Sequence, residues 1–341
     1  MKNKGLIATV IILFAILVGT FAFEMGKSTN QSKAAINNTK EEKTVGILQF
    51  VSHPALNEIR RGVEDGLANK GYVKGKNLTI EFQNGQADQS KLTTMSQQLV
   101  QKKADALVGI ATPAAQSLAN TTKDIPIVLG AVTDPVSANL VADMDQPGGN
   151  ITGVSDKSPV KKQFELAKEL LPAAKKVGIL YSSTEDNSKY QVSEAKKAAQ
   201  QIGLTVEKYP VPSTNEISQT VQVMGDQVDF MFIPLDNTIA NAMPAVVNEA
   251  NKKDLPIIPS VDTMVEQGGL ATIGINQYEL GVKTGEMTAD ILEGKSAPAK
   301  TPVYTFKTGD VIINQEQAEK LQIDLPASIS KNAKFTGGRD K

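Results

Sequence analysis

The sequence predicts an α/β protein built as two parallel-sheet lobes with several hinge crossovers. Three observations carry this. Strand-like and helix-like segments alternate from Thr44 onward. The strand segments are continuous apolar runs, as expected of strands covered by helices on both faces. The whole pattern is also written twice.

In the first copy, Val45–Phe50 (VGILQF) reads as a buried strand. Leu56, Ile59, Val63 and Leu67 then recur on one face of a helix. Leu78–Phe82 is a second strand, and Leu92, Met95 and Leu99 mark a second helix. Ala106–Ile110 is a third strand. The helix after it opens at Thr112-Pro113, where Thr suits the N-cap and Pro the first helical position. Ile125–Val132 and, after the Gly148-Gly149 turn, Ile151–Val154 complete the copy.

The second copy begins at Val177–Tyr181 (VGILY). A helix with Val192, Ala195, Ala199 and Ile202 follows, then a strand at Thr205–Tyr209 and a helix with Ile217, Val221 and Met224. Val228–Leu235 and Leu255–Ser260 are further strands, and Gly268-Gly269 repeats the glycine turn. Matched segments are displaced by 132 residues (Val45 to Val177), 124 (Ala104 to Val228), 130 (Asp124 to Asp254) and 120 (Gly148 to Gly268). Only loop lengths drift, so one α/β unit is duplicated, at a period too long for a solenoid. After Ile275 a helix pattern (Leu280, Met287, Ile291) and a strand, Val303–Phe306, are too short for a third domain. They are expected to cross back to the first lobe, with fraying from about Ser330. The expected division is 1–23, 24–43, 44–154 (first lobe), 155–275 (second lobe) and 276–341 (crossover and tail).

Composition narrows the function. Of 341 residues, 36 are Lys or Arg and 37 Asp or Glu, a net charge of −1. No basic stripe alternates with aromatics, so nucleic acid is not an expected partner. There is no Cys, which removes disulfides, thiolate metal sites and Cys nucleophiles. His53 is the only His, and no nucleophile motif accompanies it. Enzymatic chemistry is poorly supplied, and no catalytic residue, metal or cofactor is expected. Reversible binding needs none of the missing residues.

The amino end differs from the rest. Lys2 and Lys4 precede Gly5–Phe23, 19 uncharged residues, enough for a helix to span a bilayer of about 30 Å. The segment ends Thr20-Phe21-Ala22-Phe23-Glu24, a poor match to a small-x-small cleavage site. An uncleaved membrane anchor is therefore expected, with the lysines inside and the rest of the chain outside. If the segment is cleaved instead, the product is secreted or periplasmic. Residues 24–43 are polar and read as a flexible tether. The remaining 298 residues carry 30 basic and 34 acidic side chains, a net charge of −4.

Six motifs occur in order: QFVSHPAL from Gln49, GIATPAAQ from Gly109, VTDPV from Val132, STEDNS from Ser183, PLDNT from Pro234 and GGLAT from Gly268. With them the chain resembles the substrate-binding components of ABC importers, of the type I periplasmic-binding-protein fold. Within that family it is most similar to the tryptophan/aromatic amino-acid-binding, TrpX-like members. The resemblance implies capture of an amino acid, aromatic such as tryptophan or phenylalanine, between the lobes. It also implies an ABC permease and its ATPase as partners, with the chain acting as a monomer. Many relatives carry a lipidated Cys, and this chain has the apolar segment instead.

In open parallel sheets, ligands bind outside the carboxyl ends of strands. The candidate binding residues lie there. Thr112 and the N–H groups of Ala114 and Ala115, at a helix N-terminus, suit a carboxylate. Thr133 repeats that logic at the next strand end. In the second copy, Asp236 with Asn237 is the expected partner of an ammonium group, since charge-assisted bonds to both ends of a zwitterion are the strong ones. Glu185, Asn187 and Ser188 follow the strand Val177–Tyr181. Phe50 can stack on a planar side chain, with Ser52 and His53 beside it. Asp262 follows the strand Leu255–Ser260 and either contacts ligand or lines the hinge. Each of the capping-type residues has an ordinary helix-cap role as its alternative. A ligand-sensing receptor of the same fold, or a site for another small solute, is the alternative function. No cytoplasmic signalling domain precedes Gly5, and a repressor of this architecture needs a helix-turn-helix.

Overall fold

The computed structural model describes residues 41–337. The expected anchor and nearly all of the tether lie outside the described residues. Among those residues, no helix is long and apolar enough to cross a membrane.

The first lobe is a six-stranded parallel sheet in the order β11-β5-β4-β3-β1-β2. Its strands are β1 (Lys43–Gln49), β2 (Leu78–Asn84), β3 (Ala106–Ile110), β4 (Ile127–Gly130), β5 (Ile151–Ser155) and β11 (Tyr304–Thr305). The interior strands β3, β4 and β5 are buried at every position, which is why they read as unbroken apolar runs. Helices α1 (Pro54–Asn69), α2 (Gln89–Gln101) and α3 (Thr112–Thr121) cross between strands.

The second lobe has a four-stranded parallel sheet in the order β7-β6-β8-β9. It comprises β6 (Lys176–Ser182), β7 (Thr205–Val211), β8 (Phe230–Ile233) and β9 (Ile257–Pro259). Its helices are α4 (Val160–Leu170), α5 (Asp186–Gln201), α6 (Ile217–Gly225), α7 (Asn237–Asn241), α8 (Met243–Asn251) and α9 (Asp262–Glu266). Beside it lies a three-stranded sheet of β10 (Ala271–Gly274), β12 (Asp310–Asn314) and β13 (Lys334–Thr336).

The chain passes between lobes three times. It leaves the first lobe after β5 and returns after β10. Helix α10 (Gln277–Leu292) then packs on α1 of the first lobe. The approach is close because Gly62 and Gly66 of α1 face Gly281 and Gly285 of α10. A Cβ at any of the four would collide with the opposite backbone. Strand β11 joins β5 in the first sheet, and the chain crosses again so that β12 pairs antiparallel with β10. Strands β12 and β13 were not foreseen. The expected frayed end instead pairs through Lys334–Thr336 with Ile312–Asn314. Neither strand carries a long apolar run, which is why the pattern missed them.

Two strand ends depart from ordinary backbone. Ala111 (φ 75°) after β3 and Ala131 (φ 63°) after β4 are both left-handed. That conformation is uncommon for a residue with a Cβ and marks a constrained position.

Candidate binding site between the lobes

The carboxyl ends of strands from both lobes meet around one narrow cavity, with about 30 Å³ open to the centre of a water molecule. The first lobe supplies His53 after β1, Ala111 and Thr112 after β3, Ala131 and Thr133 after β4, and Asp156 after β5. The second supplies Asn187 at the start of α5, Leu235, Asp236 and Asn237 after β8, and Val261 after β9. Gln277, just past the second crossover, completes the wall with Ala55, Leu56 and Ala240.

Four of these side chains hold a buried polar atom without a hydrogen-bond partner: Thr112 Oγ1, Asp156 Oδ1, Asn187 Oδ1 and His53 Nδ1. Native proteins rarely leave such atoms unpaired, because each costs on the order of 1–3 kcal/mol. Four in one cavity describe a site shaped for a polar ligand.

Their positions follow from local structure. Thr112 was expected to cap α3. Instead left-handed Ala111 takes the N-cap position, and Thr112 becomes the first helical residue. Its hydroxyl is therefore not used in capping. Ala114 and Ala115 are fully buried but do not line the cavity. The Ala115 N–H donates to the Ala111 carbonyl at 3.1 Å, closing the first helical turn, so it is not the free donor that was expected. Thr133 is on the wall, and its hydroxyl hydrogen-bonds the Asp156 carboxylate. Burial pushes the Asp156 carboxyl up to about 6, against that bond's lowering effect.

Asp236 lies on the wall, but both its oxygens have protein partners. Oδ2 accepts from the Ser182 N–H at 2.5 Å and Oδ1 from the Ile239 N–H at 2.9 Å, capping α7. Burial and the neighbouring Glu185 charge push it far above the usual carboxylate range. Glu185 is likewise engaged: it accepts from the backbone and side chain of both Asn237 and Thr238. It supports the wall from behind rather than lining the cavity. Ser188 donates toward the Leu235 carbonyl at 3.5 Å and sits in the same buried network.

Three other expected residues stand apart from the cavity. Phe50 is buried in the first-lobe core. Ser52 is exposed and accepts from Asn84 at 2.8 Å. Asp262 opens α9 and accepts from its neighbour Thr263 N–H and from the Gln277 backbone, which places it at the crossover. Burial pushes its carboxyl up to about 6. Asp156 and Gln277 were missed. The signal for Asp156 was available, since it is the polar residue that follows the fifth strand. Ending that strand at Val154 hid it.

His53 is buried and neutral: desolvation lowers its pKa to about 4, against a raising hydrogen bond to Asn237. That bond, Nε2 to Asn237 Oδ1 at 3.3 Å, joins the two lobes. Gln116 Nε2 to Asp186 Oδ2, also 3.3 Å, joins them again. Tyr190 of the second lobe reaches Lys157 at 3.3 Å and hydrogen-bonds Asp134 of the first.

Two parallel-sheet lobes with three connections, enclosing a cavity at their strand ends, define a solute-binding protein of the type I periplasmic-binding fold. A family model for ABC transporter substrate binding proteins matches residues 44–336, and the chain belongs to that family. Membership places its work outside the cytoplasm. The chain is 37% identical over 334 residues to a tyrosine-binding protein of Clostridioides difficile, covering 98% of this chain and 95% of that one. It is 52% identical to the solved structure of an ABC domain in complex with L-Trp from Streptococcus pneumoniae. That match covers 87% of this chain and all of the other, with a TM-score of 0.85. The ligand-free, open structure of a substrate binding protein with adhesive properties from Clostridium difficile is 37% identical. It matches over the same 87% of this chain and all of its own length, with a TM-score of 0.67.

Proposed function

We propose that this protein captures one aromatic α-amino acid in the interlobe cavity and presents it, in the closed form, to an ABC permease driven by a separate ATPase. The observation that carries this is the set of four unpaired polar atoms in one enclosed cavity. The free Asp156 oxygen suits the ammonium group. The Thr112 hydroxyl and the N-terminal end of α3 suit the carboxylate. Apolar side chains, Ala55, Leu56, Ala111 and Ala131, offer a ring an apolar wall. The relatives' ligands, tyrosine and tryptophan, fit this chemistry. The closer match to the Trp complex than to the open relative agrees with a closed arrangement. Gly5–Phe23 would tether the monomer to the membrane. Titration calorimetry of the purified protein against the twenty amino acids tests the reading. Saturable binding confined to aromatic members is expected. No binding to any of them, with binding to a sugar or another solute, would overturn it.

A further inference from the structure

Glu185 is buried behind the cavity wall and accepts from five donors. Two are the N–H groups of Asn237 and Thr238 that open α7, at 3.3 and 2.8 Å, and a third is the Thr238 hydroxyl at 2.7 Å. These make it a helix cap. The other two are side-chain amides, Asn237 Nδ2 at 2.6 Å and Asn187 Nδ2 at 3.3 Å. A cap needs neither of them. Both amides belong to residues on the cavity wall.

An amide that gives its NH2 to a carboxylate turns its oxygen the other way. Asn187 turns it to the cavity, where Oδ1 is unpaired. That orientation has a second support, because Nδ2 also donates to the Leu235 carbonyl at 2.8 Å. Asn237 has no second support: among the described residues, Glu185 is the one acceptor its Nδ2 meets. Its Oδ1 therefore faces His53 Nε2, at 3.3 Å. Oδ1 can only accept, so Nε2 carries the ring proton. Burial keeps the ring neutral, with its pKa lowered to about 4. Nδ1 is then a lone pair, unpaired and on the wall.

We infer that Glu185 is a positioning residue of the binding site: it holds Asn237 in the orientation that fixes His53 as its Nε2–H tautomer, so that the closed cavity presents an acceptor at His53 Nδ1. The relay runs from the second lobe to the first and is made only when the two meet. Polarity at that point of the wall is set by a group outside the cavity. The inference rests on the proposed amino-acid ligand only for its probe. Glu185→Gln separates positioning from capping. At the Oε1 position the new NH2 would oppose the Thr238 N–H, which is fixed and close, at 2.8 Å. At Oε2 the fixed donor, the Asn237 N–H, is 3.3 Å away, and the Asn237 amide can turn over. The NH2 therefore takes the Oε2 position. Asn237 turns its oxygen to it and its own NH2 to His53 Nε2, and the ring proton moves to Nδ1.

The test is nitrogen-15 NMR of the full-length protein carrying labelled histidine and saturated with L-tryptophan at neutral pH. His53 is the only His, so its two ring nitrogens give a single pattern of couplings to the ring C–H protons, and that pattern identifies the tautomer. The Nε2–H pattern is expected in the wild type and the Nδ1–H pattern in Glu185→Gln. A reversed polarity in the wall should also raise the tryptophan Kd about tenfold or more. Thr238→Val removes a hydrogen bond to the same carboxylate without touching the relay. It should lower the melting temperature, yet keep the wild-type tautomer and a Kd within about threefold. An Nδ1–H ring in the wild type, or an Nε2–H ring in Glu185→Gln, would overturn the inference. So would a switched tautomer with a Kd within about threefold of wild type, since polarity there would not matter to binding. An equal switch in Thr238→Val would reduce Glu185 to a cap. Should Glu185→Gln not fold, the wild-type spectrum decides alone. Calorimetry on the same samples keeps the two readings apart. No binding of tryptophan or tyrosine to the wild type overturns the proposed function, whereas binding with the wrong tautomer overturns this inference alone.

Discussion

Replacing Asp156 by Asn removes the one cavity carboxylate that has a free oxygen, while keeping shape and the Thr133 contact. Burial pushes that carboxyl from 3.8 to about 6. Holding it ionised at neutral pH therefore costs about 3 kcal/mol. A ligand ammonium group reverses that cost and adds a charge-assisted bond. Truncating one partner of such a pair typically costs roughly 2–5 kcal/mol, so Asp156→Asn should weaken the Kd by roughly 30- to 5,000-fold. The sign with pH is definite. A carboxyl whose pKa is raised takes up a proton as pH falls through about 6. Binding must then expel that proton, so wild-type affinity should fall between pH 7 and pH 5, by up to tenfold per pH unit. The Asn variant should show no such slope. Calorimetry of both proteins at pH 7.5, 6 and 5 measures all of this. A variant Kd within threefold of wild type, or a wild-type Kd flat over that range, would refute the assignment of Asp156 to the ammonium.

Three further outcomes follow from the same geometry. Asp236→Asn removes repulsion with Glu185 but sets an NH2 donor against the Ser182 or the Ile239 N–H, each of which now meets a carboxylate oxygen; a buried N–H left unpaired costs about 1–3 kcal/mol, so the melting temperature should fall at pH 8, and an unchanged value would contradict the capping role. Tyr190→Phe breaks the link from the second lobe to Asp134 and Lys157. An exposed link of this kind is worth about 0–1 kcal/mol, so small-angle scattering of the ligand-free protein should show a shift toward open particles and ligand affinity should drop less than fivefold. Gly281→Ala places a methyl against the α1 backbone at Ile59; main chain yields little, and overpacking of about 1–3 kcal/mol is expected as a lower melting temperature, whereas an unchanged value would mean that α1 and α10 are free to separate.

Much of this fold was legible because parallel strands buried on both faces leave short apolar runs, set off from buried helices by their length and β-branched content. β1, β3 and β6 fall within a residue or two of expectation for that reason. The ends were harder. Ile125–Val132 is apolar throughout, yet β4 stops at Gly130 because Ala131 turns left-handed, and no residue type there announces it. β12 pairs with β10 and β13 with β12, partners distant in sequence, and local pattern carries no record of such pairing. At the site, the strand-end rule located Thr112, Thr133, Asn187, Asp236 and Asn237. It could not separate groups facing the cavity from groups facing helix termini. Asp236 and Glu185 both satisfy α7, while Thr112, the expected cap, does not cap. Which carboxylate keeps a free oxygen depends on contacts among β6, β8 and α7, which only the folded chain assembles.

The division of the site between lobes explains how such a protein reports its ligand. His53, Thr112 and Asp156 belong to the first lobe or its edge, and Asn187 to the second. Closing the empty protein buries four polar atoms without partners, at roughly 1–3 kcal/mol each. Opening returns them to water, and so does nothing for a ligand that touches one lobe alone. Under the proposed function, a zwitterion meets atoms of both lobes at once, and its contacts are complete only in the closed form. Its affinity is therefore differential between the two states, which is the only way a ligand can shift an equilibrium. The close α1–α10 packing keeps the returning segment within the first lobe. Under the proposed function, a permease that docks on both lobes would distinguish loaded from empty protein by shape, without contacting the amino acid.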